Sequence, residues 1–260
     1  MSNWIETKLF PLNEQNLDRL LEFKIPGILV ENFIPQETCA VASERLRAGE
    51  FQAYGHLQNI PVQQLGLCHN QFAHEEKSVY FGKKEQAQKA IDKIYEGLGL
   101  NPVKKVMETI ASRANRRVDV FQEPSYGNYF AGAFRQFRGH GRLHVDHAPS
   151  HIKQPWSVTE ITRQMTWNIY YSVPGSGGEL VIYDTIHTPE KDRLKVPGDY
   201  YFPYEVLDSK ERLVVQPKVG DWILFNTQNF HEILGTPEGY RISQTSFIGQ
   251  RKDRSLGLWS

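Results

Sequence analysis

The stretch "GRLHVDHAPS", residues 141–150, decides how the chain is read. His144 and Asp146 stand two apart, and His140, His144, His147 and His151 place four of the nine histidines within twelve residues. Side chains alternate along a strand, so a strand over 140–146 puts His140, Arg142, His144 and Asp146 on one face. A third ligand must come from elsewhere, and His231 in "DWILFNTQNFHEILG" lies in another apolar, strand-like stretch. Two imidazoles and one carboxylate on one octahedral face leave three positions open, the donor set of non-haem Fe(II) oxygenases. A hydrogen-bonded His–Asp pair in a sheet is the competing reading of His144 and Asp146.

Working outward, ten residues beyond His231 comes Arg241, with Ser243 at the next position on the same face. An inward guanidinium is expensive unless it meets an anion, and with a neighbouring hydroxyl it can grip a carboxylate. From about residue 118 the texture is short apolar runs broken by Gly, Pro and Asp. Strands are predicted at 127–137, 140–146, 164–173, 178–184, 212–216, 221–226, 229–234 and 240–248. "PGSGGEL" supplies positive-φ residues for one connection. Earlier, "PGILVENFI" (26–34) reads as a strand. A helix opens at Pro35 with Cys39, Ala40, Ala42 and Leu46 at apolar spacing. Further helices are predicted at 84–98, with Ala87, Ala90, Ile91, Ile94 and Leu98 on one stripe and Gly99 as the stop, and at 103–114. The expectation is a single domain over 1–260, mainly β. It has a double-stranded β-helix (jelly-roll, cupin-like) core over 118–260 and supporting α-helices over 1–117.

Composition narrows the function. Thirty basic and thirty acidic residues balance, which excludes the sustained positive field of a nucleic-acid or membrane-surface protein and favours a small-molecule partner. Cys39 and Cys68 are too few for a disulfide framework and read as packing residues in a reducing compartment. No apolar run reaches membrane-spanning length, so a cytoplasmic protein is expected.

Together, His144, Asp146, His231, Arg241 and Ser243 resemble the signature of the Fe(II)/2-oxoglutarate-dependent dioxygenases: His-x-Asp, a distal His, then Arg-x-Ser about ten residues on. The resemblance implies that Fe(II) is held by the first three. It also implies that 2-oxoglutarate chelates the metal while its far carboxylate pairs with Arg241 and Ser243. O2 is the second cosubstrate, and CO2 and succinate are released as an unactivated C–H bond is oxidised. "PGSGGELVIYD", "GDWILFNTQNFHEI" and "YRISQTSFIGQRKDRSLGLWS" further resemble the carrier-independent aliphatic halogenases of welwitindolinone and free-lysine type and their hydroxylase relatives, over roughly residues 125–260. Those halogenases carry a small residue, usually Gly, where this chain has Asp146, and halide binds the iron in the space left. The resemblance with Asp146 present therefore implies hydroxylation of a free amino acid or natural-product intermediate. Desaturation, cyclisation and oxidative C–N cleavage remain open.

Other candidates follow from face and position. Thr166 and Asn168 share a face of "QMTWNIYYS" with Tyr170; with Tyr129 they are candidates to hold the cofactor, against ordinary packing. Arg142, His147, Thr245, Phe247 and Trp259 are candidates to line the substrate pocket; a surface salt bridge, a solvated loop, barrel packing and an edge-covering tail are the respective alternatives. In the free-lysine relatives an acidic residue stands where His147 does. The aromatic loop "PGDYYFPYEV" (197–206) is either a lid or a cover for apolar barrel surface. A jelly-roll metal-binding module or cupin-type isomerase is the reading from a different class; it has no use for Arg241 with Ser243.

Overall fold

The structure, a computed structural model, describes residues 2–53 and 62–260. Two sheets face each other. The larger, ten-stranded sheet runs in the order Leu9–Pro11, Gly27–Val30, Trp222–Asn226, Arg163–Ser172, Arg241–Gln250, Ala133–Phe137, Val62–Leu65, Gln52–Ala53. The strand Leu256–Trp259 pairs with the far half of Arg241–Gln250, and Val118–Val120 pairs with it in turn. The smaller sheet has four antiparallel strands, Arg212–Val215, Leu180–Ile186, Asn229–Ile233 and Gly141–His144. This is the jelly-roll architecture of a double-stranded β-helix.

Period-two alternation sorts the larger sheet's side chains. Met165, Trp167, Ile169 and Tyr171 join Trp222, Leu224, Ile242 and Ile248 in the main core, which also includes the buried helix residues. On the opposite face, Tyr170, Ile223 and Phe225 meet Leu180 and Ile182 of the smaller sheet, filling the space between sheets. Both faces of this sheet are covered, so its central strands are buried along nearly their whole length.

The helices are Glu14–Leu21, Gln36–Arg47, Lys77–Tyr95, Pro102–Ala114 and the one-turn Ala148–His151. Gln36–Arg47 buries Cys39, Ala42, Ser43 and Leu46, whereas Ala40 faces solvent. Lys77–Tyr95 begins seven residues before the predicted start at 84, and it stops before Gly97, at φ 72°, not at Gly99. Among the described residues no helix is long and apolar enough to cross a membrane. Both cysteines are free and buried.

Leu9–Pro11, Gln52–Ala53, Val62–Leu65, Val118–Val120 and Gln122–Glu123 are strands that were not predicted, and three further departures bear on the site. The predicted 127–137 strand is broken at Gly132, whose φ of 94° splits it into Gly127–Asn128 and Ala133–Phe137. The 140–146 strand is only Gly141–His144. The tail forms an unpredicted strand, Leu256–Trp259, and is held at its end by Ser260. The Ser260 hydroxyl donates to the Thr245 carbonyl (3.1 Å), while the Ser260 carbonyl accepts from Tyr80 (2.9 Å).

The "PGSGGEL" turn has Gly177 and Gly178 at φ 77° and 76°. A Cβ on Gly177 would lie 2.2 Å from the Gly235 carbonyl oxygen. Gly177→Ala adds backbone strain to that collision and is expected to cost at least about 2 kcal/mol, read from urea denaturation.

Candidate metal centre

Two neighbouring strands of the smaller sheet build the centre. Register sets His231 directly opposite His144, so both imidazoles point into the space between the sheets, with ring centroids 4.3 Å apart. Asp146 lies just past the end of its strand, where its backbone exchanges hydrogen bonds with Thr227: its N–H donates to the Thr227 carbonyl (3.0 Å) and its carbonyl accepts from the Thr227 hydroxyl (2.8 Å). Asp146 Oδ2 is then 3.7 Å from His144 Nε2 and 3.6 Å from His231 Nε2.

The other nitrogen of each ring fixes the tautomer. His144 Nδ1 is 2.7 Å from the Arg142 carbonyl and His231 Nδ1 is 2.9 Å from the Asn229 carbonyl. A carbonyl only accepts, so each Nδ1 carries a proton and each ring turns its Nε2 toward Asp146. Burial, reinforced by His231, draws the His144 pKa down to about 4. Burial alone would raise Asp146; the facing His231 and His144 and the cation of Arg135 outweigh it and hold the carboxyl well below the usual carboxylate range. One ligand-type atom from each of the three lies within 4.8 Å of the other two, and this donor set fits a divalent iron.

Arg241, on the facing sheet, is 2% exposed, with Nη2 donating to the Tyr170 hydroxyl (3.1 Å). Its Nε and Nη1 are buried without a hydrogen-bond partner among the described residues. Ser243, opposite Tyr170 and Arg135 in the register, shares this inner face and is buried. A guanidinium so deeply buried, with two of its three nitrogens unpartnered among the described residues, fits a bound carboxylate.

A pocket of about 270 Å³ opens beside the centre, lined by His144, Asp146, His147, Phe247, Trp259 and Tyr200, among others. A larger groove of about 630 Å³ lies elsewhere, along Lys77–Tyr95 and Pro102–Ala114, and contains none of the three converging groups. Of the candidate residues, His147, Phe247 and Trp259 line the pocket. Thr245 is buried on the inner face, where its hydroxyl shares a 3.0 Å hydrogen bond with Thr166, which also donates to the Ser246 carbonyl. Asn168 is buried opposite Thr245.

Three expectations are corrected. Tyr129 does not line the pocket beside the centre but the larger groove, and its hydroxyl donates to Glu123 within an aromatic cluster with Tyr80 and Trp156. Arg142 is exposed, its guanidinium 4.4 Å from the Tyr201 ring centroid, because an aromatic face stabilises the cation while leaving it hydrated. His140 precedes the strand and lies on the outer face against buried Glu232 (2.7 Å).

The 197–206 loop covers apolar barrel surface and also reaches the pocket. Tyr200 lines the pocket with its ring 5.6 Å from His144, while Phe202 and Val206 cover Leu143, Val145 and Phe230 on the sheet's outer face. Arg135 is the inner-face residue the sequence analysis passed over. It stands opposite Ser243, 5.8 Å from the Phe247 ring, and its charge is felt at both His144 and Asp146. The signal was present: "AFRQF" alternates, so Arg135 is inward by the same rule that singled out Arg241.

Fold and converging donors together define the class, the Fe(II)/2-oxoglutarate-dependent oxygenases, and the chain is an enzyme of that class. Within it, the carrier-protein-independent halogenase WelO5 family matches residues 2–260, and the chain belongs to that family. Leucinostatins biosynthesis cluster protein S of Purpureocillium lilacinum is 30% identical over 205 residues, 75% of this chain and 82% of that protein. L-gamma-glutamyl-L-propargylglycine hydroxylase of Streptantibioticus cattleyicolor is 26% identical over 50% of this chain and 48% of its own length. Among solved structures, an N-substituted L-amino acid dioxygenase from Burkholderia ambifaria superposes with a TM-score of 0.65 at 11% identity, covering 95% of this chain and 91% of that one.

Next to His231, Glu232 points to the outer face, where its buried carboxylate accepts from Tyr183 (2.5 Å) and Tyr204 (2.7 Å). Glu232→Ala leaves the buried Tyr183 hydroxyl without an acceptor and releases Tyr204 of the covering loop. It is expected to cost about 2–3 kcal/mol in urea unfolding.

Proposed function

We propose that the chain hydroxylates an unactivated C–H bond of a free amino acid or an amino-acid-derived natural-product intermediate. The observation that carries this is the convergence of His144 Nε2, His231 Nε2 and the Asp146 carboxylate, facing a buried Arg241 with two of its three nitrogens unpartnered among the described residues. In this reading His144, Asp146 and His231 hold Fe(II), which with 2-oxoglutarate and O2 supplies the oxidation. Arg241 pairs with the far carboxylate of 2-oxoglutarate, with Ser243 and the Tyr170 hydroxyl beside it. Asn168 and the Thr166–Thr245 pair form the polar wall behind the cofactor. His147, Phe247, Trp259 and Tyr200 surround the substrate, and the three aromatic rings exclude water. Arg135 places a positive charge over the same space.

A pocket of about 270 Å³ suits a molecule of amino-acid size better than a macromolecular segment. The named activities of the Streptantibioticus and Burkholderia relatives, a γ-glutamyl amino acid and N-substituted amino acids, support the same substrate class. Two buried free thiols accord with a reducing cytoplasm.

The family's name raises halogenation as the second reading. Asp146 opposes it: its carboxylate stands where a halide would have to reach the metal, within 3.7 Å of both imidazoles. Hydroxylation is therefore favoured over halide transfer.

The test is succinate release from 2-oxoglutarate with Fe(II) and ascorbate across amino acids, N-substituted amino acids and γ-glutamyl dipeptides, with products weighed by mass spectrometry. A gain of one oxygen is expected. Arg241→Gln should raise the KM for 2-oxoglutarate about 100-fold, since it removes one partner of a buried charge pair. A chlorinated product from the unaltered protein in chloride would overturn the hydroxylase assignment. Failure of the iron-loaded protein to bind or turn over 2-oxoglutarate would overturn the whole reading.

A further inference from the structure

A second set of donors lies beside the catalytic pocket. His151 ends the short helix Ala148–His151, His187 follows the strand Leu180–Ile186, and Asp192 sits in the 3-10 turn Pro189–Leu194. One ligand-type atom from each lies within 4.8 Å of the other two. His187, whose side chain is 2% exposed, places Nε2 2.7 Å from Asp192 Oδ1, and the His151 and His187 rings are 5.8 Å apart. A His187–Asp192 hydrogen bond accounts for two of the three. It does not account for His151, whose Nε2 is buried and has no hydrogen-bond partner among the described residues. Leaving a buried polar nitrogen unpaired costs about 1–3 kcal/mol, so such an atom calls for a partner.

The chemistry of the set points to one. Two imidazoles and a carboxylate are the donors of zinc and its late first-row neighbours, whereas calcium and magnesium require oxygen ligands almost throughout. Asp192, 39% exposed, brings the negative charge and leaves the ion a way in from solvent. The nearby Lys195 opposes a cation here, and the Asp192 carboxylate offsets it. His147 also neighbours His187, at 6.4 Å between rings, but its Nδ1 is engaged with Ser150 Oγ (2.7 Å).

We propose that His151, His187 and Asp192 form a second, structural site for a zinc-class divalent ion. Such an ion ties the segment after Asp146 to the segment leading into the 197–206 loop, and so braces two walls of the catalytic pocket, which His151 and Lys195 both line. The inference uses residues outside the iron-binding set and stands independently of the oxygenase reading.

The experiment titrates chelator-stripped, full-length protein with Zn(II) by calorimetry, without Fe(II) or 2-oxoglutarate. Zinc also binds two imidazoles and a carboxylate at the catalytic centre, so a His144→Ala, Asp146→Ala double variant isolates the second site. That double variant is expected to bind one equivalent of zinc and to melt at a higher temperature when it does. Adding Asp192→Ala, or separately His151→Ala, is expected to weaken this binding at least tenfold and remove the melting shift. Asp192 is exposed, so its variant is expected to keep the native near-UV circular dichroism; if it does not, His151→Ala decides. No zinc bound by the double variant, or zinc binding that neither further substitution weakens, would overturn the proposal.

Discussion

Everything at the centre depends on one strand register: His231 lies directly across from His144. Facing positions in neighbouring strands put their side chains on the same face, so the pairing brings together two imidazoles from positions 87 residues apart in the chain. Their Nδ1 protons are spent on backbone carbonyls of their own strands, two residues back in each case. The same peptide groups that extend the sheet therefore turn both Nε2 atoms inward. A slip of one residue in either strand would turn an imidazole to the outer face, where Phe230 and Glu232 now lie.

The two sheets divide the work. The smaller sheet carries the metal donors, and the inner face of the larger one carries Arg241, Ser243, Tyr170 and Arg135. The outer face of the larger sheet packs on the helices of the N-terminal half, which gives its long strands apolar neighbours on both sides. That burial makes a charged inward residue costly, so a buried arginine there marks a site that takes an anion. Asp146 puts a carboxylate within 3.7 Å of both imidazoles, from a position just past the end of its strand.

The loops that follow the donors are joined to them by contacts on both faces of the smaller sheet. Tyr200 reaches His144 from the pocket side, while Phe202 and Val206 cover Leu143 and Val145 from outside. Glu232 gathers His140, Tyr183 and Tyr204 on that outer face. One loop thus touches both the pocket and the packing behind the converging groups.

Much of the β core was legible because period-two alternation and the Gly and Pro punctuation are local, and eight predicted strands have counterparts in the two sheets. The helix after Pro35 was legible for the same reason, from its opening proline and helically spaced apolar residues, and the one ending at Ala114 was placed with its basic end. His144, Asp146, His231, Arg241 and Ser243 could be singled out because their spacing along the chain is itself a pattern, and the structure brings them to facing surfaces. Local pattern failed where the outcome hung on a distant partner. Arg142 turned out to solvent because Tyr201 met it there, Tyr129 was taken by Glu123, and the tail became a strand because the end of Arg241–Gln250 offered it an unpaired edge. By itself the sequence determined which residues can donate to a metal and which strands can carry them, since donor chemistry and alternation belong to each short segment. Which of those donors meet, and that His151 meets His187 and Asp192, only the tertiary structure decided, because those encounters are set by register and loop packing between segments far apart in the chain.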